Sequence, residues 1–254
     1  AVRHTPFKLC DLNRLRCATW CVLCTRPIQA NADTRPTHTI EDYLMTMHVM
    51  ERDSGEIVAA RLAEMMGVAP ATVTMTLRRM ERDKWISGHR RREIHLTKTG
   101  REAAHSVIRR HMLIEWLLVK VFKIPIFETH DEAHRIEHAI SPKLEERMYE
   151  ILDDPKLCPH GNPFPGHEAL TKDWVPLTEV PIGVEVTIHR IHEFAEDNQD
   201  LLDFLSKNSV EPGKKAQVQE NLPFNQTLTI EIDGNSVTLG FAAAKYIFAA
   251  LSTS

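Results

Sequence analysis

From Thr39 onward, apolar residues recur at helical spacing. Ile40, Tyr43, Leu44, Met47 and Met50 form one stripe, Thr39 can cap it, and Asp53-Ser54-Gly55 ends it. A second helix runs through AARLAEMM to Gly67, and a third spans PATVTMTLRRMERD, with Pro70 suited to its first turn. Helix, turn with glycine, helix is the helix-turn-helix arrangement. WISGHRRREIHLTKTG then reads as strand, basic loop and strand, a wing, so residues 37–100 predict a winged-helix DNA-binding domain. GREAAHSVIRRHMLIEWLLVKVF is a long amphipathic helix stopped by Pro125, and HDEAHRIEHAIS and KLEERMYEIL are two more helices of a domain over 101–172. CPHGNPFPG is too rich in glycine and proline to be anything but loop. Past Pro176 the period falls to two. VEVTIHRI, KAQVQE, LTIEID and SVTLGF read as short strands, DGN as a hairpin turn and QDLLDFLSK as one inserted helix, giving a small β-barrel or sandwich over 173–254. The predicted class is mainly α with small β.

The totals narrow the possibilities. A chain of 254 residues, 43% hydrophobic and 26% charged, has enough length for two or three globular domains. Its longest apolar run, IEWLLVKVF, is interrupted by Glu115 and Lys120, so no membrane span and a cytoplasmic location are expected. Four of the five cysteines, Cys10, Cys17, Cys21 and Cys24, crowd the start, and Cys158 stands alone beyond them. CATWCVLC contains a metal-binding spacing but has no partner motif downstream. With the first methionine at Met45, residues 1–36 read as a poorly ordered extension or as the product of a start placed too far upstream.

The net charge of -4 argues against a protein that coats nucleic acid, yet residues 78–101 carry nine Lys/Arg against three acidic groups, a local +6. Arg78, Arg79, Arg90, Arg91 and Arg92 of this patch suit phosphates. The third helix would enter a major groove with Ala69, Pro70, Ala71, Thr72, Thr74 and Met75 near its start. Such small and apolar groups touch thymine methyls and make few bidentate contacts, so DNA shape should share in sequence choice.

The stretch HDEAHRIEHAIS supplies the other chemistry. On a helix His130, His134, Glu137 and His138 share a stripe, while Ala133, Ile136 and Ile140 line another. One His/Glu pair would be an ordinary wet face, but four such groups in nine residues point to a divalent cation, which could do chemistry or hold a shape.

Taken with TIEDYLMTMHVM, AARLAEMMGVAPATVTMTLRRMERDKWI, HLTKTGREAA, RRHMLIE and CPHGNPFPG, this order of blocks resembles the diphtheria toxin repressor and manganese transport regulator family, over roughly residues 37–254. The resemblance implies a metal-activated homodimeric repressor of metal-uptake genes, with a winged helix, a helical dimerisation domain and a C-terminal SH3-like β-barrel. It implies a primary metal site of Asp42, His134, Glu137 and His138. It also implies an ancillary site of His111, Glu115 and His130, to which Glu193 and Glu196 would be added from the C-terminal domain. His134 stands where iron-responsive relatives carry cysteine and manganese-responsive ones glutamate, and Met45 replaces a carboxylate found in some of the latter. Nitrogen and oxygen donors alone favour Mn(II), with Fe(II) or Zn(II) next. A cation joining Asp42 to the dimerisation helices would set the separation of two recognition helices, which must be about 34 Å to read a palindromic operator.

Two rival readings stand beside this one. His134-x-x-Glu137-His138 matches the inverted zinc-peptidase motif, in which the glutamate is a base and not a ligand. The fourteen histidines could also be structural or sense pH.

Overall fold

The computed structural model describes residues 35–89 and 93–251. Cys10, Cys17, Cys21 and Cys24, and with them the extension expected over 1–36 save its last two residues, lie outside the described residues, as do Arg90, Arg91 and Arg92 of the wing.

Helix α1 (His38–Ser54) buries Ile40, Tyr43, Leu44, Met47 and Met50, and Gly55 ends it by adopting φ 75° and returning its N–H to the Glu51 carbonyl. Helices α2 (Ala59–Met65) and α3 (Pro70–Arg82) pack on it through Leu62, Val73, Leu77 and Met80. Strands β1 (Ile86–Ser87) and β2 (His95–Leu96) pair antiparallel and close this core with Ile86 and Leu96. The next helix, α4 (Lys98–Leu117), starts at Thr97, whose hydroxyl accepts the Gly100 N–H at 3.0 Å. Ala104 of α4 belongs to the first core, whereas Ile108, Met112, Leu113 and Ile114 belong to a second. That second core includes Ala133 of α5 (Thr129–Glu137) and Met148 of α6 (Pro142–Ile151). One helix thus joins the wing-bearing domain to the middle domain.

The C-terminal domain contains β3 (Val175–Pro176), β4 (Glu185–Ile191), α7 (Glu193–Glu196), α8 (Gln199–Lys207), β5 (Lys215–Leu222), β6 (Thr227–Ile232), β7 (Asn235–Gly240), α9 (Phe241–Ala244) and β8 (Ile247–Leu251). The turn expected at DGN is a two-residue hairpin, with Asp233 and Gly234 both at positive φ. The expected barrel is not closed. The six strands form an open sheet in the order β3-β8-β4-β5-β6-β7, with β3 and β7 as edges. After β7 the chain turns into α9, so among the described residues no strand carries the ladder round to β3. Apolar side chains fill that side instead, with Leu177, Leu202, Leu205 and Ala244 buried in the same cluster as the sheet residues Ile188, Val218 and Ile230. Two aromatic residues tie the domains together: Phe127, just before α5, is buried in the C-terminal core, and Phe194 of α7 packs against the core of the winged helix.

His48 on the buried side of α1 sets a pH limit on this fold. Its ring meets that of His105 edge-on at 4.7 Å, and burial, with His105 and Arg52 nearby, pulls its pKa down to about 4. Because the folded value lies below the unfolded one, stability is complete above about pH 6.5 and falls as the pH drops toward 4. For metal-free protein, His48→Phe should therefore lose about 2 kcal/mol less stability than the parent between pH 7 and pH 5, as measured by urea unfolding. Equal losses in the two proteins would show that His48 is not buried neutral.

Candidate metal centre

Asp42 projects from the first turns of α1 toward the end of α5. One ligand atom from each of Asp42, His134, Glu137 and His138 lies within 4.8 Å of the others. The Asp42 carboxylate is 3.1 Å from His138 Nε2, and Glu137 Oε1 is 3.2 Å from His134 Nδ1 and 3.4 Å from His138 Nε2. Asp42 Oδ1 and Glu137 Oε1 are buried without a hydrogen-bond partner among the described residues. Burial pushes the Asp42 carboxyl up, while the Glu137 carboxylate beside it raises His134. Inward-facing, unsatisfied oxygens beside imidazole lone pairs fit a divalent cation.

A second group gathers His111, Glu115, His130 and Glu196, again with ligand atoms within 4.8 Å. Both carboxylate oxygens of Glu115, Nε2 of His111 and Nδ1 of His130 are buried without a hydrogen-bond partner among the described residues. A cavity of about 370 Å³ is lined by residues of both groups, Asp42 and His134 from one and His111, Glu115, His130 and Glu196 from the other. Burial opposes charge on His130, but the Asp197 and Glu196 carboxylates beside it outweigh that and push it up to about 10. Burial likewise opposes charge on His111, yet Glu115 and Glu137 hold it well above its ordinary value.

The two C-terminal glutamates part company. Glu196 joins the second group, whereas the Glu193 carboxylate is held by Arg52 at 2.8 Å and by Arg190 at 2.9 Å. These two guanidiniums hold Glu193 far below the usual carboxylate range although burial opposes ionisation. The histidine stripe is split as well, since His130 faces Glu196 at 2.9 Å while His134 and His138 face Asp42.

Sequence reasoning missed several residues that orient the donors. His138 Nδ1 lies 2.6 Å from Glu41, which is buried and also bound by Arg110 at 2.8 Å. His111 Nδ1 lies 2.6 Å from Glu137 Oε2, leaving Nε2 toward Glu115 at 3.3 Å. His130 Nε2 meets Asp197 at 3.2 Å. In each ring one nitrogen is tied to a carboxylate and the other is turned toward a donor group, the arrangement that fixes the tautomer of a metal-ligating histidine. The acidic residue at the start of α1 gave one usable signal, a Glu41-Asp42 pair with adjacent residues on different faces.

The CPHGN loop was also missed as chemistry. Cys158 and His160 are buried and form a third group with Glu115. Gly161 makes this possible: it has φ 88°, and a Cβ there would sit 1.9 Å from the His189 carbonyl oxygen of β4. Asn162 beside it donates to Glu196 at 2.6 Å and accepts from Arg190 Nε at 2.6 Å.

Of the residues expected to meet DNA, Ala69, Pro70, Ala71, Thr72, Met75, Arg78 and Arg79 are exposed at the start and along the outer face of α3. Thr74 is half buried, and its hydroxyl donates to the Pro70 carbonyl at 3.0 Å.

Three family models match successive parts of the chain: "Iron dependent repressor, N-terminal DNA binding domain" over residues 36–94, "Iron dependent repressor, metal binding and dimerisation domain" over 97–166, and "FeoA domain" over 175–251. The iron-dependent repressor IdeR of Mycobacterium leprae is 35% identical over 212 residues, covering 79% of this chain and 92% of that protein. The diphtheria toxin repressor of Corynebacterium efficiens is 33% identical over 189 residues, covering 71% and 82%. Among solved structures, a manganese-dependent transcriptional repressor in complex with manganese superposes with a TM-score of 0.72 at 28% identity, covering 84% of this chain and 99% of that one. The chain belongs to the iron-dependent repressor family, that of the diphtheria toxin repressor and its manganese-dependent relatives. It is a metal-dependent transcriptional repressor with a DNA-binding domain and a dimerisation domain, and not a peptidase. Among the described residues no helix is long and apolar enough to cross a membrane.

Asp197 is exposed and touches the second group only through His130. Replacing it with alanine should leave folding intact and, by freeing the His130 ring to turn, weaken divalent-metal binding at that group by about tenfold, measured by competition with a chromophoric chelator. Unchanged affinity would mean that His130 needs no orienting partner.

Proposed function

We propose that the chain represses metal-uptake genes as a cytoplasmic homodimer on a palindromic operator, and that Mn(II) activates it in preference to Fe(II) or Zn(II). Asp42, His134, Glu137 and His138 would be the primary ligands, with His111, Glu115, His130 and Glu196 the ancillary ones. The observation that carries the reading is the approach of Asp42, on the first helix of the winged domain, to three donors at the end of α5. A divalent cation there supplies the positive charge that lets these carboxylates and imidazoles close on one another. The chain's own part is mechanical: with Asp42 held, α1 and the α3 packed on it take a fixed position against α4 and α5. A dimer so fixed presents its two α3 helices at one spacing, and binding that favours this state is tightened reciprocally by DNA.

Support for the dimer comes from the middle domain, where Val121, Phe122, Ile136, Leu144 and Ile151 are exposed in a segment matched to a dimerisation domain. Manganese is supported by an all nitrogen and oxygen donor set at the primary group, although zinc ranks above manganese in intrinsic affinity.

Mobility-shift titrations with a palindromic operator should show DNA affinity rising on addition of Mn(II) by a factor in the roughly 5–150-fold range of allosteric couplings. Asp42→Ala should lose that response while keeping its weak metal-free binding. A response that survives Asp42→Ala, or Zn(II) alone activating, would refute the switch or the choice of metal respectively. Separately, Arg78 is exposed on α3, and Arg78→Ala should make the salt dependence of binding shallower by about one unit of log-log slope per protomer. No change in slope would place Arg78 off the phosphates.

A further inference from the structure

Helix α1 is gripped at its far end by the C-terminal domain. Arg52 donates to both oxygens of Glu193, at 2.8 and 2.9 Å, and to both oxygens of Asp53, at 2.7 and 2.6 Å. Arg190, buried on β4, reaches Glu193 at 2.9 Å and Asp53 at 3.3 Å through Nη2, while its Nε donates to Asn162 Oδ1 at 2.6 Å. His192 joins the same group: its Nδ1 accepts the Phe194 N–H at 3.0 Å, which leaves the ring proton on Nε2, 2.6 Å from Asp53. Donor atoms of Asp53, His192 and Glu193 lie within 4.8 Å of one another, as they would around a cation, but here two guanidiniums supply the positive charge. Two arginines against two carboxylates leave no formal charge to be met from outside, and paired charges joined by forked hydrogen bonds are the strong kind.

The grip extends to the neighbouring helix. Phe194 packs against the core of the winged helix, and the Arg61 guanidinium of α2 lies over its ring, 5.1 Å from the centroid. His192, Glu193 and Phe194, consecutive in sequence, thus hold α1 and α2 together. Arg52 follows Asp42 by ten residues of α1, which is about 15 Å along the helix axis. A rod held at one point can pivot, whereas a rod held at two points that far apart keeps its direction.

We propose that this contact is a metal-independent latch: the C-terminal domain holds the far end of α1 before any cation arrives, so that metal binding at Asp42 has only the near end left to fix. Arg52 and Asp53 act as positioning residues, through the helix they share with Asp42. The latch goes beyond the metal-activated reading and rests on it only for the effect on DNA binding.

Hydrogen–deuterium exchange of the full chain in EDTA tests the latch directly. In the parent, amides of residues 49–54 and 192–197 should exchange slowly without metal and change little when Mn(II) is added. Arg52→Gln leaves Glu193 paired with Arg190, so no buried carboxylate loses every partner. In this variant both segments should exchange at least about tenfold faster in EDTA, while β5 and β6 stay as slow as in the parent and show that the C-terminal domain is folded. Asp53→Asn should act in the same direction. In mobility shifts the DNA affinity of Mn(II)-loaded Arg52→Gln should fall by about tenfold. Segments that exchange fast in the metal-free parent and slow only with Mn(II) would overturn the latch and leave the metal switch standing. Slow exchange in both variants would show that these charges do not hold the contact, and faster exchange with undiminished DNA affinity would show that the contact does not set α1; either overturns the proposal. Slow exchange in the metal-free parent, with DNA affinity indifferent to Mn(II), would uphold the latch and overturn the switch.

Discussion

Buried negative charge is the constraint on which the rest of this molecule depends. Glu41, Glu115, Glu137 and Glu196 are almost wholly buried, and Asp42 is half buried beside them. Two unit charges 4 Å apart repel by about 4 kcal/mol at the effective dielectric typical of proteins, so such a set cannot remain ionised without counter-charge. Arg110 answers Glu41, and protonated imidazoles answer most of the others: His111 and His160 are held above their ordinary value against burial, and Glu137 is held near 2. Protons and metal cations are alternative solutions to the same electrostatic problem, which is why metal uptake by such a site displaces protons and couples to the packing around it.

Neutralising this charge is also an act of docking, because the carboxylates come from separate parts of the chain. Glu41 and Asp42 belong to α1, Glu115 to α4, Glu137 to α5 and Glu196 to α7. His111 sits where the two groups meet, with Nδ1 on Glu137 and Nε2 toward Glu115, so the order of one group constrains the other through a single ring. A second network of charged groups acts in parallel. Arg52 and Asp53 at the end of α1 engage Arg190, His192 and Glu193 of the C-terminal domain, with Asp53 to His192 at 2.6 Å. Glu193, expected from the resemblance to be a ligand, serves this network in the structure.

What could be read in the sequence followed from local periodicity. The helical stripes of α1 and α3, the DGN hairpin and the Asp42, His134, Glu137, His138 gathering all rest on spacings within a helix or on a familiar order of blocks. What could not be read depended on contacts between distant segments. His130 leaves its stripe because Glu196 and Asp197, some 66 residues away, face it. Cys158 and His160 looked like turn residues because Gly161, needed for close approach to β4, masks the loop as mere punctuation. The barrel stayed open because α9 and α8 fill a side that strand periodicity alone could not show to be occupied.

The inverted peptidase motif shows how such a distant partner decides chemistry. In a hydrolase the glutamate between two ligating histidines must keep an oxygen free to take a proton from water. Here Glu137 Oε1 lies between His134 Nδ1 and His138 Nε2, as a ligand would, and Oε2 is already engaged by His111 Nδ1 at 2.6 Å. His111 and His134 hold the carboxyl low, near 2, despite its burial. A histidine 26 residues upstream on another helix thereby turns a five-residue catalytic pattern into a structural clamp.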